Sequence, residues 1–262
     1  MSTFAMHVAK TGLNSQQIKM QVIANNLANV NTTGFKADRA NFESLLYQIL
    51  RGAGDNTSEN TSLTSGLAVG TGTRLLNTSK LHTQGSLINT GNSLDISIEG
   101  DGFFQVLLPD GRVAYTRSGA FSRNAEGTVT TASGYALQPE ITIPAEAISI
   151  NISSDGIVSV QVPGAVEAEE VGQITLADFP NRQGLQPNGE SMLLETPASG
   201  APIVAAPFEE GMGRTVQGSL ESSNVNVVQE LVDMIETQRA YEVSSKTITS
   251  VDEMMRYLAQ NV

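Results

Sequence analysis

The sequence contains no cysteine among its 262 residues. Disulfides, thiolate metal sites and cysteine nucleophiles are therefore excluded as sources of stability or chemistry. A chain without thiols is compatible with oxidising and reducing compartments alike, because the redox poise has nothing to act on. The absence of cysteine therefore limits the kinds of active site and metal site that the chain could hold, but it does not indicate a cellular compartment.

Aromatic and charged side chains are scarce. Aromatic residues make up 5% of the chain, tryptophan is absent, and charged residues reach 16%, against roughly a quarter in a typical globular domain. Glycine, serine, threonine and asparagine are plentiful instead, which is typical of a β-rich, turn-rich protein. The length of 262 residues can supply the core of one large domain or two modest ones.

Positive charge and long apolar runs are also in short supply. The net charge is −12, which argues against nucleic acid or an anionic membrane as a partner. The opening MSTFAMHVAKTGLNSQQ lacks the apolar region and small-residue cleavage site of a secretory signal, and no stretch approaches the length of a membrane span. We therefore expect no cleaved signal peptide and no membrane insertion.

Candidate catalytic groups are few and scattered. The two histidines, His7 and His82, lie far apart, and neither belongs to a metal-binding spacing. Asp95, Glu99 and Asp101 could form an acid–base pair or a calcium site, but solvated turn carboxylates have the same pattern. We expect no catalytic site, no metal and no cofactor.

Both ends of the chain have helical periodicity. At the start, two rows of seven-residue spacing form a heptad-like seam that Gly34 would end: Met6, Leu13, Met20 and Leu27, then Ala9, Gln16, Ile23 and Val30. At the end, the row is Val227, Met234, Tyr241, Ile248, Met255 and Val262, widened by Leu231, Val251 and Leu258. Ser222, Ser223 or Asn224 could cap this second helix, whose roughly 35 residues would extend about 50 Å.

The middle of the chain has a β signature. From about residue 70 to residue 218, short β-prone runs alternate with turn signals such as Pro109-Asp110-Gly111. The predicted fold class is α+β, in which long N- and C-terminal helices pair as a coiled-coil stalk and a central irregular all-β domain lies between them. The predicted segments are a helix over 1–35, an extended arm over 36–70, a β-rich outer domain over 71–220 and a helix over 221–262.

The terminal helices allow two interpretations. They could form an ordinary intramolecular hairpin over a core, or they could serve assembly. Assembly is favoured because each helix has a single apolar seam and would be marginal alone. Residues 1–40 carry four basic and one acidic group, whereas residues 221–262 carry three basic and seven acidic groups, so the two ends attract each other.

Several long motifs carry a resemblance that covers most of the chain. They are AKTGLNSQQIKMQVIANNLANVNTTGFK at 9–36, IEGDGFFQVLLPDGRVAYTRSGAFSRNAEG at 98–127 and QGSLESSNVNVVQELVDMIETQRAYEVSSKTI at 217–248. Together they resemble the axial rod and hook proteins of the bacterial flagellum. NFESLLYQILR at 41–51 and GLAVGTGTR at 66–74 resemble distal-rod members more than hook or proximal-rod members.

The resemblance implies a structural role. The terminal helices would form the inner core of a hollow tube, and the β domain would face outward. Many copies would form a rigid drive shaft that carries motor torque through the periplasm to the hook, and residues 52–66 would be the rod-specific insertion that stiffens it. Expected partners are further copies in a helical polymer, the proximal rod and hook proteins, the surrounding rings, the rod-cap protein and the flagellar type III export apparatus.

The sequence leaves alternatives to a distal-rod protein. A hook or proximal rod protein is the nearest alternative, and a cell-wall-acting β-fold hydrolase or an adhesin is remote.

The side-chain amides that lie off the apolar rows are expected to form hydrogen bonds to neighbouring subunits and so to fix one register. The predicted assembly interface comprises Met6, Leu13, Met20, Ile23, Asn25, Asn26, Leu27, Asn29, Val30, Val227, Leu231, Met234, Tyr241, Ile248 and Met255.

Overall fold

A computed structural model describes residues 2–53, 56–58, 61–62, 64–164 and 168–260. The chain divides into two compact units. Unit 1 comprises 1–27, 38–79 and 226–262, and unit 2 comprises 28–37 and 80–225. The predicted insertion at 52–66 belongs to unit 1, and part of it lies outside the described residues.

Two long helices belong mainly to unit 1. Helix α1 spans Ser2–Ala28 and helix α2 spans Val227–Gln260. The cap of α2 is Asn226, whose side-chain oxygen accepts hydrogen bonds from the backbone N–H groups of Val228 (3.1 Å) and Gln229 (3.3 Å). The cap therefore lies beyond the three candidates at 222–224 that the sequence suggested.

Helix α1 ends at Ala28, before the predicted stop at Gly34. The segment that follows is a series of turns, in which the Thr32 N–H donates to the Asn29 carbonyl at 3.1 Å. Asparagine favours turns over helix interiors, which explains the early end. Gly34 has a φ of +67°, and a Cβ there would lie 2.4 Å from the Ser118 backbone nitrogen, so this position requires glycine.

The strands of unit 1 pair as three two-stranded sheets, β1 with β6, β2 with β5 and β3 with β4. The region expected to be an extended arm is therefore built from strands. Their bounds are β1 Asp38–Ser44, β2 Tyr47–Arg51, β3 Asn56–Ser58, β4 Thr61–Ser62, β5 Leu67–Gly70 and β6 Thr73–Lys80.

Unit 2 contains the remaining strands that the structure describes. They are β7 Leu87–Asn89, β8 Ile96–Glu99, β9 Phe103–Leu107, β10 Val113–Thr116, β11 Phe121–Arg123, β12 Val129–Thr131, β13 Ala136–Gln138, β14 Ser149–Ile152, β15 Ile157–Gln161, β16 Glu169–Gln173, β17 Leu176–Asp178, β18 Gln186–Gly189, β19 Met192–Leu194, β20 Ile203–Ala205, β21 Arg214–Gln217 and β22 Ser219–Glu221. A 3₁₀ turn lies at Arg182–Gly184.

The main sheet of unit 2 has nine strands in the order β11-β12-β13-β9-β10-β19-β18, with β17 pairing β9 and β20. Smaller sheets are β14-β15-β16, β21-β8 and β22-β7. Most of the strands are short and antiparallel, and the turns between them carry glycines of positive φ such as Gly111 and Gly127. This agrees with the turn-rich β pattern of the sequence.

The core of unit 2 is a continuous apolar cluster. It includes Phe104, Val106, Leu137 and Leu176, all with no exposed surface, and it is joined by Ile98 and Ile143 at 1% exposure. A smaller aromatic cluster joins Phe103, Tyr115 and Phe179, where the rings of Tyr115 and Phe179 meet edge to face at 4.7 Å. The predicted class is confirmed: the two terminal helices pair, and the central domain is all β.

No helix in the described part of the chain is long and apolar enough to cross a membrane.

Two alanine substitutions on neighbouring strands should distinguish a buried position in the core of unit 2 from a position at its surface. Leu137→Ala removes a fully buried side chain, so the free energy of unfolding should fall by about 2–5 kcal/mol through lost burial and a residual cavity. Leu107→Ala lies on the neighbouring strand β9, where Leu107 is 37% exposed, and should lower the free energy of unfolding by less than about 1 kcal/mol. Urea unfolding followed by circular dichroism measures both, and similar losses would contradict the assigned core.

Candidate assembly site

Asn26 forms a clasp inside unit 1. Its side-chain oxygen accepts from the Asp38 N–H at 2.8 Å, and its amide donates to the Asp38 carbonyl at 2.9 Å and to Glu230 Oε1 at 3.0 Å. The residue is 2% exposed. One amide therefore ties α1 to the start of β1 and to the first turn of α2, and its hydrogen bonds are made within the chain.

The other amides of the motif have more local roles. The Asn25 amide donates to Asp38 Oδ2 at 3.3 Å, and Asn29 Oδ1 accepts from the Thr32 hydroxyl at 3.2 Å. In unit 2, Asn224 accepts from the Ala37 N–H at 2.8 Å and donates to the Leu81 carbonyl at 2.7 Å. The sequence motif contained Asn224 but gave no sign of this bridging function.

A buried ion triad lies in unit 2. Glu221 is 1% exposed as a residue. Its Oε1 lies 2.6 Å from Lys36 Nζ, and its Oε2 lies 3.5 Å from Arg117 Nη1. The Gly85 N–H also donates to Oε1 at 2.9 Å. The three ionised side chains come from the three long motifs of the sequence, so the triad brings these motifs together in unit 2.

The backbone completes the coordination of the two cations. Lys36 Nζ donates to the Thr83 carbonyl at 2.9 Å, and Arg117 Nη2 donates to the Gly100 carbonyl at 2.7 Å. Burial is the main cause that lowers the pKa of Lys36, and the hydrogen bond to Glu221 acts in the opposite direction. Burial likewise lowers the pKa of Arg117. Glu221 is thus the counterion on which both cations depend.

His82 lies next to the triad. Its ring meets Phe103 edge to face at 5.8 Å, and its Nδ1 is buried without a hydrogen bond among the described residues. Burial, followed by the positive charge of Lys36, lowers its pKa to about 4. His82 is therefore a neutral packing residue at neutral pH.

The predicted interface residues divide by exposure. Ile23 and Asn26 are buried. Half-buried are Met6, Leu13, Met20, Leu27, Asn29, Val30, Met234, Ile248 and Met255, and exposed are Asn25, Val227, Leu231 and Tyr241.

A second apolar face of α2 is open to solvent. Val228, Leu231, Val232 and Ile235 recur at i, i+3, i+4 and i+7 and are 72%, 44%, 46% and 51% exposed. That spacing places them on one side of the helix. We call these four residues the outer face of α2. Of these four residues, only Leu231 is among the interface residues predicted from the sequence. The i, i+3, i+4, i+7 spacing of the four is present in the sequence, but it is not part of the seven-residue row.

The β2–β5 hairpin also exposes large apolar side chains. Leu46, Tyr47, Ile49 and Leu50 are 53–89% exposed on one arm, and Leu67 is 52% exposed on the other. A two-stranded ribbon is marginal in water by itself, and apolar patches of this kind mark contact surfaces.

The hairpin is fixed to α1 at its base. Gly72 has a φ of +116°, and a Cβ there would lie 2.1 Å from Thr11 Oγ1. The hydroxyls of Ser15 and Thr73 lie 3.0 Å apart. Only glycine permits this approach, so the direction of the hairpin is set by close packing against α1.

The candidate carboxylates do not converge. Asp95 accepts from the Thr90 hydroxyl at 2.6 Å, Glu99 pairs with Arg214 at 2.6 Å, and Asp101 pairs with Arg182 at 2.6 Å. Each has its own structural partner. In the part of the chain that the structure describes, no group of three or more His, Asp or Glu side chains could hold a metal ion.

Comparison with protein families agrees with the motifs. Residues 6–36 match the family described as flagella basal body rod protein, residues 97–160 match the flagellar hook protein FlgE/F/G D1 domain, and residues 216–261 match the flagellar basal body rod FlgEFG protein C-terminal region. These three regions contain Lys36, Arg117 and Glu221 respectively.

Individual relatives cover nearly the whole chain. The flagellar basal-body rod protein FlgG of Buchnera aphidicola subsp. Schizaphis graminum is 51% identical over 98% of both chains. FlgG of Agrobacterium fabrum is 44% identical over 98% of this chain and 99% of its own. FlgF of Caulobacter vibrioides is 30% identical over 96% and 95%. The chain therefore belongs to the flagellar basal-body rod protein family, and its relatives named FlgG are the more similar ones among these three.

Removing the shared counterion should be costly. Glu221→Gln leaves Lys36 and Arg117 buried without a negative partner, so the free energy of unfolding should fall by about 3–5 kcal/mol. Glu99→Gln removes an exposed ion pair with Arg214 and should cost less than about 1 kcal/mol. Urea unfolding compares the two variants, and an equally small loss for both would show that the triad does not hold unit 2 together.

His82 should make stability sensitive to acid. Its folded pKa of about 4 lies below the ordinary value of 6.5, so between these values the unfolded chain binds a proton that the folded chain does not. The stabilisation is complete above about pH 6.5 and is lost as the pH falls towards 4, by on the order of 3 kcal/mol.

Two histidine variants isolate this contribution. His82→Gln should flatten the decline in the free energy of unfolding between pH 6.5 and pH 4, measured by urea titration. His7→Gln, at the exposed histidine of α1, should keep the decline. Identical pH profiles for His82→Gln and the unaltered chain would contradict the assignment.

Proposed function

We propose that this chain is a structural subunit of the flagellar distal rod. Its copies polymerise helically into a hollow, rigid shaft that transmits motor torque through the periplasm to the hook. The observation that carries the proposal is the exposed apolar surface of unit 1, on α2 and on the β2–β5 hairpin. It occurs in a chain whose relatives bear the name of flagellar basal-body rod protein.

The outer face of α2 supports polymerisation. One face of α2 packs within its own chain, and a second apolar face is exposed to water. Such an exposed apolar face can bind a helix of another copy. The interface residues proposed from the sequence extend this surface, since Val227, Leu231 and Tyr241 are exposed on the same helix. Ile23 and Asn26 act from inside by fixing α1.

The β2–β5 hairpin supplies a second, chemically different surface. It belongs to the region at 41–74 that resembles distal-rod proteins. A helical polymer needs a heterologous contact, in which one patch meets a different patch on the next copy and the chain of contacts stays open. A helix face and a hairpin on the same unit provide two such unlike patches.

As a distal-rod subunit, the chain would act at one place in the flagellum and contact a defined set of proteins. The subunit acts in the basal body of the flagellum, from the periplasm to the outer membrane. It meets the proximal rod proteins, the hook protein, the surrounding rings, the rod-cap protein and the export apparatus. Its role is mechanical and requires no catalysis or cofactor, which accords with the separate structural partners of Asp95, Glu99 and Asp101.

A charge on the outer face of α2 should block polymerisation without unfolding the monomer. Ile235→Glu places a carboxylate in the proposed contact, where an unpaired buried charge costs more than about 1.4 kcal/mol, which is a factor of ten in association. The critical concentration, measured by sedimentation and electron microscopy, should rise at least tenfold. Circular dichroism should show an unchanged helix content.

Thr247→Glu is the matched control. It adds the same charge at an exposed polar position of the same helix, away from the outer face of α2 and from Val227 and Tyr241, and should polymerise normally. Rods of normal length and yield from Ile235→Glu would refute the proposed contact. Restoration of the distal rod in cells that lack their own distal rod protein, but not in cells that lack the hook protein or a proximal rod protein, would separate the proposal from its nearest alternatives.

A further inference from the structure

A groove of about 860 Å³ lies beside the first half of α1 in unit 1. It is lined by one side of α1 between Met6 and Asn14, and by Leu45 and residues 73–75 from the strand region. The N–H of the first β6 residue donates to Thr11 Oγ1 at 3.4 Å, which joins the helix to the strand region. The groove, which we call the α1 groove, is therefore already formed within one chain.

The α1 groove combines an apolar lining with a positive charge. Its half-buried apolar side chains are those of Met6, Leu45 and Leu75. Lys10 also lines the groove, is exposed, and has no ion pair with a described residue, whereas Arg74 is already paired with Glu43. Among the described residues that line the groove, none is acidic. Lys10 is therefore the charge that a bound partner would meet.

The outer face of α2 matches this groove in length and in pattern. Its four apolar residues lie between Val228 and Ile235, which at 1.5 Å per residue is about 10 Å of helix. The helix side of the groove, from Met6 to Asn14, extends about 12 Å. Apolar residues at i, i+3, i+4 and i+7 are the pattern by which a helix lies in an apolar groove of a partner.

The charge beside the outer face of α2 is opposite to that of the groove. Glu236 directly follows the last residue of the outer face, is exposed and has no ion pair with a described residue. The next charged residues, Arg239 and Glu242, are of opposite sign, so Glu236 leaves this part of the helix with a net negative charge. A helix that lies in the groove can therefore bring its carboxylate to the ammonium group of Lys10, where complementary charges favour one partner and one register.

The same charge argues against the β2–β5 hairpin as the occupant of the groove. The hairpin also exposes apolar side chains, but its two strands carry a single charged residue, the basic Arg51. Its approach would bring a second positive charge to Lys10 and no counterion. The outer face of α2 therefore fits the groove better than the hairpin does.

We propose that the outer face of α2 of one copy lies in the α1 groove of a second copy, with Glu236 facing Lys10. The face and the groove are different surfaces of unit 1, so the contact is heterologous and leaves one surface of each kind for the next copy. The inference rests on the proposed function and names the surface that the outer face of α2 contacts in the polymer.

Charge reversal tests the pairing of Lys10 with Glu236. Lys10→Glu and Glu236→Lys should each raise the critical concentration for polymerisation at least about fivefold, because each brings like charges together. The double variant, in which opposite charges face each other again, should return to within about twofold of the unaltered chain. Lys246→Glu makes the same reversal at an exposed position in the second half of α2 and should polymerise normally.

Cross-linking of two single-cysteine chains shows what occupies the groove without requiring a polymer. The chain has no native cysteine, so Asn14→Cys places one thiol at the groove. Mixed with the Gln229→Cys chain, whose thiol is exposed beside the outer face, it should form a covalent heterodimer with a short bifunctional thiol reagent. Thr247→Cys, farther along α2, should form none. A heterodimer with Gln48→Cys on the hairpin instead would overturn the proposal.

The two measurements separate this contact from the proposed function. If both charge-reversed chains polymerise normally while Ile235→Glu does not, or if the double variant fails to recover, the contact with the α1 groove is overturned and the rod function stands. If the unaltered chain does not polymerise, the rod function fails and the cross-link decides the contact. A heterodimer of the Asn14→Cys and Gln229→Cys chains then supports the contact, and its absence overturns it.

Discussion

The buried ion pairs of the Glu221 carboxylate constrain how three distant segments of unit 2 align. It lies fully buried between Lys36 and Arg117, and these residues come from three regions of the chain that match three separate family models. A buried ion pair adds little net stability over apolar packing, but it strongly penalises every arrangement that separates its members. The triad is therefore better understood as a device that selects one alignment of three segments than as a source of stability.

Asn26 has a comparable role in unit 1 with a neutral side chain. Its amide imitates a strand partner by pairing with both backbone groups of Asp38, and it also reaches Glu230. Burial raises the pKa of Glu230, and the Asn26 hydrogen bond opposes that rise. Polar groups that are buried and satisfied specify position, so the two units use the same principle with different chemistry.

The sequence predicted the elements better than the contacts. Rows of apolar residues at seven-residue spacing indicated both long helices, because this period persists over many turns. Glycine-rich turns indicated the central all-β domain. Helix α1 ends at Ala28 and not near Gly34 because Asn29 and Asn31 favour turns over helix interiors. The cap of α2 lies at Asn226 and not at 222–224, because a run of serine and asparagine offers several caps of equal local merit. The pairing of Lys36 with Glu221 spans 185 positions, and local periodicity carries no information about such a partner. The outer face of α2 does not follow from the sequence, because both sides of that helix carry apolar residues and a period alone cannot show which side remains in water.

Unit 1 contains both ends of the chain, since it joins 1–27 with 226–262, while unit 2 needs Glu221 to neutralise Lys36. Contacts this distant in sequence form only after the intervening chain has been supplied. Neither unit can reach its final packing while residues beyond about 220 are missing. A chain that emerges lengthwise from a narrow passage would thus stay incompletely folded until the residues beyond about 220 have emerged. Both units would then complete their packing with residues from this same last segment.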